Sequence, residues 1–160
     1  MQTLILTAGK ELTFADIHAV YTQKVSITID PSVTKVLQSS QDAIKDIAKS
    51  SIIYGVNTGF GPMAYTYIPP KKQQQLQYNL VRSHACGMGD ALPCSTVRAI
   101  MLIRLQTLSQ GHSAVSLPVL EQLVTLLEND ITPVIPEHGS VGASGDLVQL
   151  AHIALTLIGE

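Results

Sequence analysis

Apolar residues recur at helical spacing through most of the chain. Phe14, Ile17, Val20 and Tyr21 share one helical face behind Thr13, a suitable N-cap. Residues 25–29 alternate Val, Ile and Ile with Ser26 and Thr28, the period-two signature of a short strand or extended link. Asp30-Pro31 then opens a helix, cap followed by proline at the first helical position, that carries Val33, Val36, Leu37, Ile44, Ile47 and Ala48. Residues 51–56 are apolar and break into the turn-rich Asn57-Thr58-Gly59-Phe60-Gly61-Pro62. After Pro69-Pro70 a polar run, residues 71–75, leads into Leu76, Leu80 and Val81, a helix ending near Gly87. The most apolar helix spans about residues 95–110, with Gly111 as its C-terminal stop. Ser116 and Pro118 start another through Leu120, Leu123, Val124 and Leu127, which ends before Thr132-Pro133. A last helix follows Gly145 and reaches Glu160, with Leu147, Leu150, Ala151, Ala154, Leu157 and Ile158 in register. The pattern predicts a mainly α-helical domain with short extended segments and two Gly-rich loops, residues 54–62 and 137–146.

Composition adds a constraint on burial. Hydrophobic residues make up 46% of the 160, aromatics only 4% and charged residues 14%, with no tryptophan. A chain this aliphatic has more apolar surface than a monomer of its size readily hides, which favours subunit burial or a larger parent protein. The net charge of −2 and the scattered Lys and Arg give no basic face of the kind nucleic acid requires. Residues 1–10 lack the basic start and long apolar run of a secretory signal. Arg104 interrupts the longest apolar helix, against a membrane span. Cys86 and Cys94 form no C-x-x-C pair, and His112, His138 and His152 have no metal-ligand spacing, so no metal site is expected. A cytoplasmic location is the expectation.

The stretch Gly139-Ser140-Val141-Gly142-Ala143-Ser144-Gly145-Asp146 carries the most chemistry. Three readings of it stand open. Ser144 or Asp146 caps the following helix. Or the turn binds an anion at the helix N-terminus, although no Lys or Arg lies nearby and the pattern G-x-x-x-x-G-K-[ST] is absent. Or the turn itself reacts: attack of the Gly145 amide nitrogen on the Ala143 carbonyl, with loss of water also from the serine side chain, yields a conjugated electrophile.

Taken with Tyr54-Gly55-Val56-Asn57-Thr58-Gly59-Phe60-Gly61 and Asn79-Leu80-Val81-Arg82-Ser83-His84, that stretch resembles the histidine and aromatic amino acid ammonia-lyases, with the three motifs in the family's order. The resemblance runs to Glu160 and covers the family's N-terminal part. It implies that residues 1–160 are an N-terminal domain without the C-terminal helical part. It implies further that Ala143, Ser144 and Gly145 cyclise autocatalytically into 4-methylideneimidazol-5-one (MIO), with no external cofactor. Asp146 would assist cyclisation and Tyr54 would act as the base. A phenol titrates ordinarily at about 10, so that role demands a site favouring phenolate. Ser83 and His84 would read the substrate, the Ser-His pair being typical of histidine-specific members, and Gly61 would line the substrate site. Two places depart from the family pattern: Val148-Gln149 stands where Ala-Pro is common, and Arg82 where an apolar residue is common.

The function so implied is deamination of L-histidine to urocanate and ammonia in histidine catabolism, on a small amino acid substrate. The alternatives are a tyrosine or phenylalanine ammonia-lyase, a 2,3-aminomutase of the same family, or, for the isolated 160 residues, an inactive partner-binding domain. The family's homotetramer is built through long helices in the part that is absent.

Overall fold

The computed structural model describes residues 2–142 and 145–160. Strand β1 (Gln2–Leu6) and strand β2 (Val25–Ile29) pair in parallel, Leu4 opposite Ile27, and helix α1 (Phe14–Thr22) is the crossover between them. The alternation at residues 25–29 works as expected: Val25 and Ile27 are buried, as are Leu4 and Leu6 of the strand beside them. Glu128 finishes the sheet edge, its carboxylate accepting from the Ile27 amide at 2.8 Å and the Ser26 hydroxyl at 3.0 Å.

Local chemistry sets the helix starts. Thr13 and Asp16 form a capping box before α1: the Asp16 amide donates to the Thr13 hydroxyl and the Asp16 carboxylate accepts from the Thr13 amide at 2.9 Å. Helix α2 (Pro31–Ile47) begins where Asp30 accepts from the Ser32 amide at 2.8 Å. Helix α3 (Pro70–His84) includes the polar run at 71–75 and stops three residues before Gly87. Strand β3 (Met88–Ala91) follows, and helix α4 (Cys94–Ser109) starts behind Pro93. Gly111, at φ +79°, ends α4's last turn in the left-handed region, and a Cβ there would press on Val36 at 3.0 Å. Helix α5 (Leu117–Glu128), strand β4 (Pro136–His138, antiparallel to β3) and helix α6 (Leu147–Leu157) complete the order.

Helix α4 is the centre. Val97, Met101, Leu102 and Leu105 are essentially inaccessible, and α1, α2 and α5 pack around them. Leu120, Leu123 and Ile135 close the other side, and Ile153 of α6 joins the same core. Two expected faces turn out differently. Phe14 is 84% exposed and Tyr21 half-exposed, because α4 covers only the Ala19–Val20 side of α1. On α6 the buried residues are Val148, Ala151 and Ile153, while Leu147 points outward. Among the described residues no helix is long and apolar enough to cross a membrane.

The capping box generates a pH-dependent prediction. Hydrogen bonds from Thr13 hold the Asp16 carboxyl below its ordinary 3.8, so its contribution is complete above that value and disappears as pH falls through the lower folded one. Thr13→Ala is expected to cost about 1 kcal/mol in urea unfolding at neutral pH. The stability gap between wild type and Asp16→Ala closes below about pH 4; a gap unchanged at pH 2 contradicts the assignment.

Candidate active site

Two glycines and one buried amide fold the loop at 51–68. Asn57, nearly inaccessible, accepts from the Ile53 amide at 2.7 Å and donates to the Ser51 carbonyl at 2.9 Å. Thr58, also buried, accepts from the Gly55 amide at 3.1 Å and donates to the Gly59 carbonyl. Gly55 sits at φ +74°, and a Cβ on Gly59 would stand 2.7 Å from the Met63 Cβ, so neither position admits a side chain without rearrangement. An isolated bridge between Thr58 and Tyr67 closes the base. The first of the two expected Gly-rich loops is therefore tightly folded by bonds of its own.

Tyr54 stands on this loop rather than at the end of a strand. It is 61% exposed, its ring meets Phe60 edge-on at 5.8 Å, and its hydroxyl oxygen accepts from the Gly61 amide at 3.1 Å. That bond uses an oxygen lone pair and leaves the phenolic O–H free to donate. Gly61, at φ +53°, thus aims its own N–H at the phenol.

Ser83 and His84 end α3. The Ser83 hydroxyl donates to the Leu80 carbonyl at 2.9 Å, and His84 Nδ1 lies 2.9 Å from the same carbonyl and 3.1 Å from Ser83 Oγ. A carbonyl only accepts, so that contact requires a proton on Nδ1, and in the neutral ring Nε2 is then the acceptor.

The third segment is held by its first glycine. A Cβ on Gly139 would lie 2.5 Å from Val148 Cγ1, so the loop runs directly against the first turn of α6. The Gly142 amide donates to the Ser140 hydroxyl at 3.3 Å. Ala143 and Ser144 lie outside the described residues. Gly145 has φ +88°, and beyond its chain neighbours no atom of the described residues lies within 4 Å of where a Cβ would stand. Asp146 occupies the N-cap position of α6 but makes no side-chain capping bond, leaving its exposed carboxylate uncommitted to the helix.

Contacts between helices order these pieces along one axis. The Gln77 side chain donates to the Gly55 carbonyl at 3.0 Å, tying the Tyr54 loop to the middle of α3. Arg82 forms a two-point ion pair with Glu160, and the Gly87 amide donates to His152 at 3.4 Å. Residue numbers rise on one side and fall on the other, so α6 runs antiparallel to α3. Its 11 residues span roughly 16 Å from the Glu160 end to the Gly145 end. The Tyr54 loop and the Gly145 loop accordingly lie at opposite ends, with Ser83 and His84 between them. Among the described residues no hydrogen bond joins the two loops. Sequence reasoning did not single out the loop-tying Asn57 and Gln77; the signal for Asn57 was a polar residue inside a turn between apolar segments.

The aromatic amino acid lyase family model matches residues 12–160. The chain belongs to the aromatic amino acid lyase family. It is 44% identical over 160 residues to a histidine ammonia-lyase of Streptococcus pyogenes, covering 99% of this chain and 31% of that protein. Among solved structures it is similar to tyrosine aminomutase from Streptomyces globisporus, with TM-score 0.91 and 40% identity over 99% of this chain and 30% of that one. It is similar also to ergothionase from Treponema denticola, with TM-score 0.93 and 31% identity over 99% of this chain and 32% of that one. The chain thus spans less than a third of the length of these family members.

The Gly139 contact is purely steric, which makes it separable. Gly139→Ala is expected to destabilise the domain by about 1–3 kcal/mol in urea unfolding. Adding Val148→Ala should recover part of that loss, and a strictly additive double variant refutes the contact.

Proposed function

We propose that the chain is the N-terminal, MIO-bearing domain of an ammonia-lyase that releases ammonia from L-histidine to give urocanate. The observation that carries the substrate is the Ser83-His84 pair, whose geometry leaves Nε2 as an acceptor for the N–H of a substrate imidazole. Similarity to the streptococcal histidine ammonia-lyase supports the same reading.

The residues present fit the prosthetic group in their chemistry. Ala143 and Gly145 bring the least bulk to the two ends of the ring, and Ser144 brings the hydroxyl to be lost. MIO would supply the electrophile that turns the amine into a competent leaving group, chemistry that side chains alone do not provide. In this reading Asp146, free of capping, assists ring formation. Tyr54 takes the β-proton as its C–H electron pair becomes the new carbon–carbon double bond and the amine departs. Gly61 orients the Tyr54 oxygen through its amide and lines the substrate site, and Ser83 shares the Leu80 carbonyl that fixes His84.

The opposite placement of the Tyr54 and Gly145 loops bears on assembly. A site using both draws them from different chains, in keeping with a homotetramer whose remaining contacts come from the longer polypeptide. The isolated 160 residues are then catalytically silent.

A second reading has one specific observation in its favour. An Nε2 acceptor also receives a phenol O–H, and the similarity to a tyrosine aminomutase is close to that with the histidine enzyme, so a tyrosine lyase or 2,3-aminomutase is the alternative.

Intact mass tests the ring directly: the purified chain is expected two waters lighter than encoded, and Ser144→Ala should lose none from that side chain. An unmodified wild-type mass removes the MIO assignment. For the substrate, the chain replaces the matched part of the streptococcal enzyme, and urocanate formation is followed in the ultraviolet. His84→Phe should lower kcat/KM for histidine by about tenfold or more, the cost of leaving the substrate N–H without an acceptor. Tyrosine turnover exceeding that of histidine in the unsubstituted chimera selects the second reading.

A further inference from the structure

A groove of about 550 Å³ runs between α4 and α6, lined by Leu92, Ile100, Ile103, Arg104, Gln149 and Leu150. Its walls are mostly apolar, yet they carry a half-buried cation without a counter-charge and one buried acceptor without a donor among the described residues. Arg104 is half-buried and makes no ion pair or hydrogen bond among the described residues. Burial alone draws its guanidinium below the ordinary range, with no carboxylate offsetting the loss of water. Across the groove, Gln149 Oε1 is buried and receives no donor among the described residues. Buried acceptors ordinarily find partners, and a half-buried cation without a counter-charge gives up part of its hydration without return. Two acids also line the groove, Glu137, whose carboxylate lies 3.1 Å from the His138 ring, and Asp146, exposed at the head of α6, but neither pairs with Arg104 among the described residues. Ile103, half-exposed, belongs to the same apolar strip.

We propose that this groove seats an apolar helix from the remaining polypeptide of the longer family proteins, a helix presenting a carboxylate to Arg104 and a hydrogen-bond donor to Gln149 Oε1. The strip between two helices is the surface that a third helix fills with its side-chain ridges. The charge pattern specifies what that helix carries. The chain covers only 31% of its streptococcal relative, so polypeptide able to supply the helix exists in such proteins. Gln149, one of the places where this chain departs from the family pattern, thereby gains a role that the chemistry of the site did not give it. The inference rests on family membership and not on the choice of substrate.

The test is co-expression of the tagged 160-residue chain with the polypeptide that follows the matched part of the S. pyogenes enzyme, read by capture and by light scattering. The wild-type chain should capture that polypeptide. Arg104→Glu and Ile103→Asp should each weaken capture about tenfold or more while the chain's own thermal unfolding stays put, and Arg104→Lys should retain most of it. Equal capture by Arg104→Glu overturns the proposal, and so does absence of capture by the wild type. Self-association of the 160-residue chain that Arg104→Glu abolishes also overturns it, since the occupant is then a second copy. None of these outcomes depends on turnover, so failure here is distinct from failure of the histidine reading.

Discussion

Burial of one helix organises everything else in this domain. α4 carries apolar residues over so much of its circumference that α1, α2 and α5 all find a partner on it. Val97, Met101, Leu102 and Leu105 are removed from water almost completely, each contributing roughly 1.5–3 kcal/mol by transfer alone. The parallel pair β1–β2 has little stability of its own, since two strands rarely hold without a packed face. It is kept by α1 on α4, and by Arg98 of α4. That arginine reaches the Gln23 carbonyl just before β2 and Asp130 just beyond α5. Placing a buried guanidinium there costs desolvation, which the two partners offset in part while Nε finds none among the described residues.

From that frame the functional segments inherit their positions. α5 and α6 meet the core through Leu123 and Ile153, and α6 in turn carries α3 along its outer side. α3 has no fully buried residue, so its place is set by directional contacts: Arg82 to Glu160, His152 to Gly87, and Gln77 to the Tyr54 loop. The polar departure at Arg82 is intelligible on this basis, because an exposed helix gains alignment from a two-point ion pair where apolar contact is sparse. The departure at Val148 is intelligible too. Its branched side chain fills the space that Gly139 leaves, coupling the loop to the helix that follows it.

Much of this was legible in the residues and part was not, for physical reasons. Asp30-Pro31, Thr13 with Asp16, and Gly111 mark helix ends through bonds made within a few residues, so their consequences could be read locally. β1 was not foreseen, because its pairing partner lies across a helix and nothing near residues 2–6 announces it. β3 and β4 escaped for another reason: Met-Gly-Asp-Ala has neither alternation nor branched residues, and the strand stays exposed. The outward Phe14 and Leu147 show that helical spacing defines a stripe but not which part of it meets a neighbour. At the site, the motifs located the segments, while their order along the α3–α6 axis depends on how two helices pack. Ser144, on which the proposed chemistry turns, is outside the described residues.

The same logic of burial sets the α4–α6 side of the domain apart. A helix apolar around most of its circumference must be covered on most sides, and α1, α2 and α5 use three of them. The fourth side contains Ile103 and Arg104, next to Gln149 of α6. An independent domain would tolerate a few exposed aliphatic side chains there, since such residues are common on protein surfaces. It would not gain by half-burying an arginine without a counter-charge and an amide oxygen without a donor, since each costs free energy that water would otherwise return. Apolar exposure alone says little, but apolar exposure combined with unmet polar valence distinguishes an interface from an ordinary surface. By that criterion the α4–α6 side differs from the exposed polar face of α2, whose Gln38 and Asp42 are already satisfied by each other.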